Sequence, residues 1–106
     1  MKLVMAIVNK DDSGVVSSAL TKKGFSVTKL ATTGGFLMSG NTTFLLGVDE
    51  SRVDEVISII EKHSKKRSQM VPSTTYGTSA YSSFPMEVTV GGATVFVMDV
   101  ERYEKL

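Results

Sequence analysis

A chain of 106 residues without cysteine has room for one domain and one core, since folding at this size buries somewhat more than ~60% of the unfolded surface. The missing thiols exclude disulfide frameworks, thiolate metal sites and a cysteine nucleophile, and fit a reducing compartment, so the expected location is cytoplasmic. With 42% hydrophobic and 22% charged residues and a formal net charge of +1, the composition is that of an ordinary globular protein and supplies no general attraction for nucleic acid or an acidic membrane.

The opening "MKLVMAIVNKDD" begins like a secretory leader, but its apolar run lasts six residues and meets Asp11 and Asp12 with no small-residue cleavage site. "KLVMAIV" therefore reads as a central strand covered on at least one face. "KDDSGVVSSALTKKG" offers Asp11 or Asp12 as an N-cap, Val16, Ala19 and Leu20 at helical spacing, Lys22 and Lys23 in the last turn, and Gly24 as a stop. A strand is expected in "FSVTKLAT", where the alternation is imperfect, and another in "NTTFLLGV". "DESRVDEVISIIEKHSKK" has Asp49 as N-cap, Asp54 and Glu55 near its start, and an apolar stripe of Val53, Val56, Ile57 and Ile60, which predicts an amphipathic helix. Asp12, Val16, Ala19 and Leu20 overlay on Asp49, Val53, Val56 and Ile57, a weak internal repeat of strand followed by helix. "MEVTVGGATVFVMDV" reads as two strands around a two-residue hairpin turn at Gly91 and Gly92. No apolar run approaches the ~18 residues that span a bilayer.

Strand, helix, strand, strand, helix, strand, strand is the order of an α+β fold: a ferredoxin-like βαββαβ sandwich with an extra C-terminal strand, a single domain over residues 1–106. Both helices then lie on one face of one antiparallel sheet. The other face needs a cover, because contiguous exposed apolar patches above a few hundred Å² are uncommon in monomers. Sheet-to-sheet association of copies is the expected cover, with the tail supplying part of it.

Charges avoid two segments, 31–48 and 68–86, both dense in Ser, Thr, Gly, aromatic residues and Pro. The stretch of about 67–85 is expected to be a long flexible loop, since connections of that length tend to be functional or disordered. In "TTGGFLMSGN", the uncharged loop of about 31–41, Gly34 and Gly35 can present consecutive N–H groups as a nest for an anionic oxygen, with Thr32 and Thr33 hydroxyls beside them. A plain glycine turn between strands is the simpler reading of the glycines alone. Phe36 and Leu37 shift the balance, because two large apolar side chains at a turn tip gain nothing unless something covers them. A stacked base would, at about 1–3 kcal/mol, while the Asn41 amide offers a donor and an acceptor to a base edge. With no Lys or Arg in the loop beyond Lys29, a phosphate held there relies on N–H and hydroxyl donors. Ordering a free loop costs about 1–2 kcal/mol per residue, so much of such a pocket must be preformed.

"TKLATTGGFLMSGNTTFLLGV", "RVDEV" and "EVTVGGATVFVM" together resemble the PII-like signal proteins that are receptors for cyclic di-AMP, the PstA/DarA family. The match runs from residue 1 to about 98 and rests on three separated motifs agreeing in order and spacing. The resemblance implies a homotrimer whose sheets line a central channel, with cyclic di-AMP bound between neighbouring subunits and without catalysis. It implies that Thr28, Gly35, Phe36, Leu37, Asn41 and Gly47 contact the ligand and that the turn around Gly92 on the adjoining subunit completes the cleft. Relatives can carry a basic residue where this chain has Ser26, which implies weaker phosphate contacts here. It further implies that the loop between the second and third strands and the long loop after the second helix change order on binding, reporting occupancy to a downstream protein partner.

The alternatives are a ferredoxin-like small-molecule enzyme or another nucleotide-binding regulatory module. An acyl phosphatase needs an Arg and a positioned Asn after the first strand, whereas "NKDD" puts acids where an anionic substrate would sit. RNA binding by the open sheet face needs aromatics on the first strand, and "KLVMAIV" has none. The single His, His63, reads as a residue complementing a helix end rather than a metal ligand, and Lys62, Lys65, Lys66 and Arg67 as a solvated helix end. Tyr76 and Tyr81 read as anchors of the long loop or as packing on a ligand.

Overall fold

The computed structural model describes residues 1–30, 40–72 and 85–106. β1 (Lys2–Asn9) runs directly into α1 (Lys10–Lys22), followed by β2 (Thr28–Leu30), β3 (Asn41–Val48), a 3-10 turn (Glu50–Arg52) and α2 (Val53–His63). Then come β4 (Arg67–Pro72), β5 (Pro85–Val90) and β6 (Ala93–Asp99). Four strands form one antiparallel sheet in the order β2-β3-β1-β6, while β4 and β5 pair with each other in a separate two-stranded sheet. The α+β architecture is consistent with a ferredoxin-like sandwich in which β6 is the fourth strand.

Two expectations are corrected. The extra strands are not C-terminal but lie between α2 and β6, and the first of them takes up residues 67–72 of the stretch expected to be loop. β5 and β6 do not form a hairpin, although Gly91 and Gly92 carry φ of +84° and +80°. Arg67 to Pro72 already supplies β5 with a partner, from Arg67↔Val90 to Pro72↔Pro85, and β6 takes the free edge of the apolar central strand β1. The Gly92 N–H turns instead to the Ser64 carbonyl. The diglycine thus carries the chain from one sheet to the other.

Successive strand residues point to opposite faces, so Val4, Ala6 and Val8 of β1 and Phe44, Leu46 and Val48 of β3 share the helix-covered face and are buried. Val16 and Leu20 of α1 and Val56 and Ile60 of α2, each pair one turn apart, close over them. These pairs shift the internal repeat by three residues, because Val53 lies only at the edge of the core.

The ends of α1 differ from their signals at one side and agree at the other. Asn9, not Asp11 or Asp12, is the N-cap: the strand leads straight into the helix and the Asn9 Oδ1 accepts the Asp11 N–H at 2.8 Å. At the other end Gly24, at φ +89°, donates its N–H to Thr21 and Phe25 donates to Leu20. That Schellman closure delivers Phe25 into the core, 7% exposed, with the Arg52 guanidinium 4.0 Å above its ring. Asp49 precedes the 3-10 turn without a side-chain capping bond, so the α-helix proper begins four residues later than its sequence signal.

The other sheet face carries the alternate residues in rows: Leu30, Thr43, Ile7 and Thr94; then Thr28, Leu45, Met5 and Phe96; then Gly47, Leu3 and Met98. No described helix covers it, and Phe96 is 51% exposed. Lys2 and Asp99 meet at the far corner of the β1–β6 ladder. Their hydrogen bond lowers the Asp99 carboxyl below the ordinary carboxylate range and raises the Lys2 amine above its usual value.

Phe44→Ala should lower unfolding free energy by about 3–5 kcal/mol, the usual cost of emptying a buried aromatic site, as read from urea denaturation. Phe96→Ala, tested on dilute protein, should cost much less.

Candidate functional site

One end of the sheet collects six chain segments. β1 ends at Asn9 opposite Asn41, where β3 begins, and the Lys10 N–H donates to the Gly40 carbonyl at 2.7 Å. α1 starts here and α2 ends here; β4 leaves and the diglycine returns. Segment 31–39 connects to this end through Gly40.

Asp12, in the first turn of α1, is 8% exposed. A carboxylate that far from water needs a charged partner with good geometry. Arg67 supplies it from the start of β4, with Nη2 and Nη1 donating to the two carboxylate oxygens at 3.0 and 3.2 Å. Nη1 also reaches the Lys65 carbonyl at 3.2 Å. Arg67, read from sequence as part of a solvated helix end, is therefore a structural clamp.

Gly91 passes under this clamp. A Cβ there would stand 2.5 Å from the Lys65 carbonyl oxygen and 2.7 Å from Arg67 Nη1, so the left-handed backbone and the close approach both require glycine. Next to it opens a cavity of about 270 Å³ lined by Ile7, Asn9, Asn41, Lys66, Gly91, Gly92, Ala93 and Thr94. Asn41 and Gly92, two of the residues expected at the site, therefore meet within one chain. The Asn9 side-chain Oδ1 is used by the cap of α1, which leaves its side-chain N–H₂ to donate. With the Asn41 amide, the Thr94 hydroxyl and the Lys66 ammonium, the cavity offers hydrogen-bonding groups of both kinds and one positive charge.

Thr28 and Gly47 line a different and larger cavity of about 540 Å³, together with Ser26, Phe25, Leu45, Arg52 and Tyr103. Asn41 and Gly47 are six residues apart on β3, roughly 20 Å at about 3.3 Å per residue. Thr28, Asn41 and Gly47 nonetheless share the uncovered sheet face, because Asn41, Leu45 and Gly47 alternate along β3 and Thr28 pairs with Leu45. On that face the Thr43 hydroxyl is buried and has no hydrogen-bond partner among the described residues. Gly35, Phe36 and Leu37, the Thr32–Gly34 nest, and Tyr76 and Tyr81 lie outside the described residues.

Gly47 differs from Gly91. A Cβ at 47 would meet only the Met1 side chain, at 3.6 Å or more, so the chain's own packing does not demand glycine there. The missing side chain leaves a notch in the open face.

A sequence model of the family described as cyclic-di-AMP receptor matches residues 1–106. The chain belongs to the cyclic-di-AMP receptor family. Among solved structures, it is similar to a functionally unknown protein from Pediococcus pentosaceus, with a TM-score of 0.75 and 44% identity, covering 99% of this chain and 96% of that one. Both comparisons span the full set of elements that build the sheet end. As a member of a receptor family the chain is a binding and signalling protein. Among the described residues no cluster of three or more His, Cys, Asp or Glu gathers as a metal site, and no helix is long and apolar enough to cross a membrane. His63 is half-buried in the last turn of α2.

Asn9, Lys66 and Thr94 are the polar lining residues that sequence reasoning missed. Asn9 was detectable in principle as an Asn closing one strand opposite the Asn that opens another. Nothing in the spacing of Lys66 ties it to Gly92.

Gly91→Ala should lower the melting temperature clearly, since the positive φ alone costs about 1–2 kcal/mol and the new methyl strikes a backbone carbonyl. Gly47→Ala should melt within a degree or two of the parent in the same thermal scan.

Proposed function

We propose that this chain is a non-enzymatic signal receptor that binds cyclic di-AMP between the subunits of a homotrimer. The observation that carries the reading is the placement of Thr28, Asn41 and Gly47 on the face of the four-stranded sheet that no described helix covers, in a chain that belongs throughout to a cyclic-di-AMP receptor family.

Each feature of that face has a task in this reading. Leu3, Met5, Leu45, Phe96 and Met98 form an apolar field in adjoining rows, which stacking against sheets of other copies removes from water at about 25 cal/mol per Å². Asn41 stands at the polar rim of the field, where its amide pairs with the edge of an adenine. Phe36 stacks on the ring, and the N–H groups of Gly34 and Gly35 receive a phosphodiester oxygen. The Gly47 notch admits the ligand or the neighbouring subunit where a methyl group would intrude.

Residues of segments 31–39 and 73–84 reorder when the ligand binds, and a cytoplasmic protein partner reads the change. Segment 31–39 joins the body near the Asn41–Gly92 cavity, at Gly40, and the β4–β5 ladder that carries 73–84 at its far end is rooted beside the same cavity, where the Asp12–Arg67 clamp anchors it. Ligand and reporting segments therefore share one support.

Titration calorimetry of the full chain should show saturable binding of cyclic di-AMP and a clear preference for it over cyclic di-GMP. Asn41→Ala should weaken binding about tenfold or more, the loss of one or two well-made hydrogen bonds, while sedimentation still shows a trimer. Phe36→Ala should behave alike with a smaller loss of specificity. Phe96→Asp should abolish the trimer and the binding together. A parent chain that is monomeric at micromolar concentration, or that releases no heat with cyclic di-AMP, overturns the reading.

A further inference from the structure

We infer that Lys66 supplies the cationic contact to a phosphodiester of the ligand at Gly92. The inference rests on the reading of the ligand as a cyclic dinucleotide and adds a residue which that reading does not contain.

Three observations carry it. Lys66 lines the polar cavity together with Asn41, Asn9, Thr94 and Gly92. Its stem lies on the diglycine: a Cβ at position 92 would stand 3.0 Å from Lys66 Cγ and 3.3 Å from Cε. Lys66 therefore accompanies Gly92, whether the cleft closes within one chain or against a neighbouring copy. Finally, the adjacent cation is already committed, since Arg67 gives both terminal nitrogens to Asp12 and one also to the Lys65 carbonyl. Among the described residues no carboxylate lies within salt-bridge reach of Lys66.

The chemistry suits a phosphodiester. An ammonium on a flexible stem is a compact charge with three donors and follows a monoanion whose two free oxygens point in different directions. The absent side chain at Gly92 lets that stem lie flat along the backbone and leaves the oxyanion room to approach. Asn41 at the same cavity is placed for the base, so one small space holds a base-reading amide and a phosphate-reading ammonium. The position after α2 that made Lys66 look like a solvated helix end is also what keeps its charge free.

Calorimetry with cyclic di-AMP on the parent, Lys66→Met, Lys66→Arg and Lys65→Met, each at low and high salt, tests the inference. Lys66→Met should weaken binding about tenfold or more and flatten its salt dependence, because the screened charge is gone. Lys66→Arg should restore most of both, and Lys65→Met should stay within about twofold of the parent. Unchanged melting curves for Lys66→Met exclude a folding effect. If Lys66→Met binds within twofold of the parent with the same salt dependence, Lys66 has no such role. If the parent itself does not bind, the cyclic dinucleotide reading fails first and takes this inference with it.

Discussion

Both helices cover the same face of the four-stranded sheet, and strand geometry turns this one-sidedness into a constraint on every other residue. Val4, Ala6 and Val8 cannot be buried under the helices without sending Leu3, Met5 and Ile7 to the opposite side. β3 obeys the same alternation, so Phe44 and Leu46 enter the core while Leu45 and Gly47 do not. The chain thereby builds its core and an apolar face in one step.

At the end of the sheet a different requirement dominates. The Asp12 carboxylate is too buried to remain without a partner, and Arg67 answers it from the root of β4. This pair fixes where the β4–β5 ladder leaves the body, and the tight passage of Gly91 past the Lys65 carbonyl fixes where it returns. These two constraints bring Asn41, Gly92 and Lys66 to one cavity, where the Lys66 stem lies across Gly92.

The legible parts were those that depend on neighbours in sequence. The stripe of Val56 and Ile60, the Gly24 stop with its Schellman closure and the alternating run of β3 each follow from local periodicity and backbone sterics. The N-cap of α1 was misplaced because two acids follow Asn9 and all three are good caps; the absence of any loop between β1 and α1 decided for Asn9. The diglycine looked like a hairpin turn because positive φ is what such a turn needs, and positive φ is indeed present. Which strand pairs with β5 is a matter of competition between partners, and local preference does not record it.

By itself, the sequence determined the helices, the strands other than β4 and the two-faced sheet, since period, charge and glycine content are local quantities. It also carried the family motifs. Only the tertiary structure decided that the added strands precede β6, that Arg67 serves Asp12, and that Lys66 lies across Gly92 beside Asn41. These outcomes join residues 25 to 55 positions apart, and such contacts are selected by burial and charge pairing across the whole fold, which no short window of sequence contains.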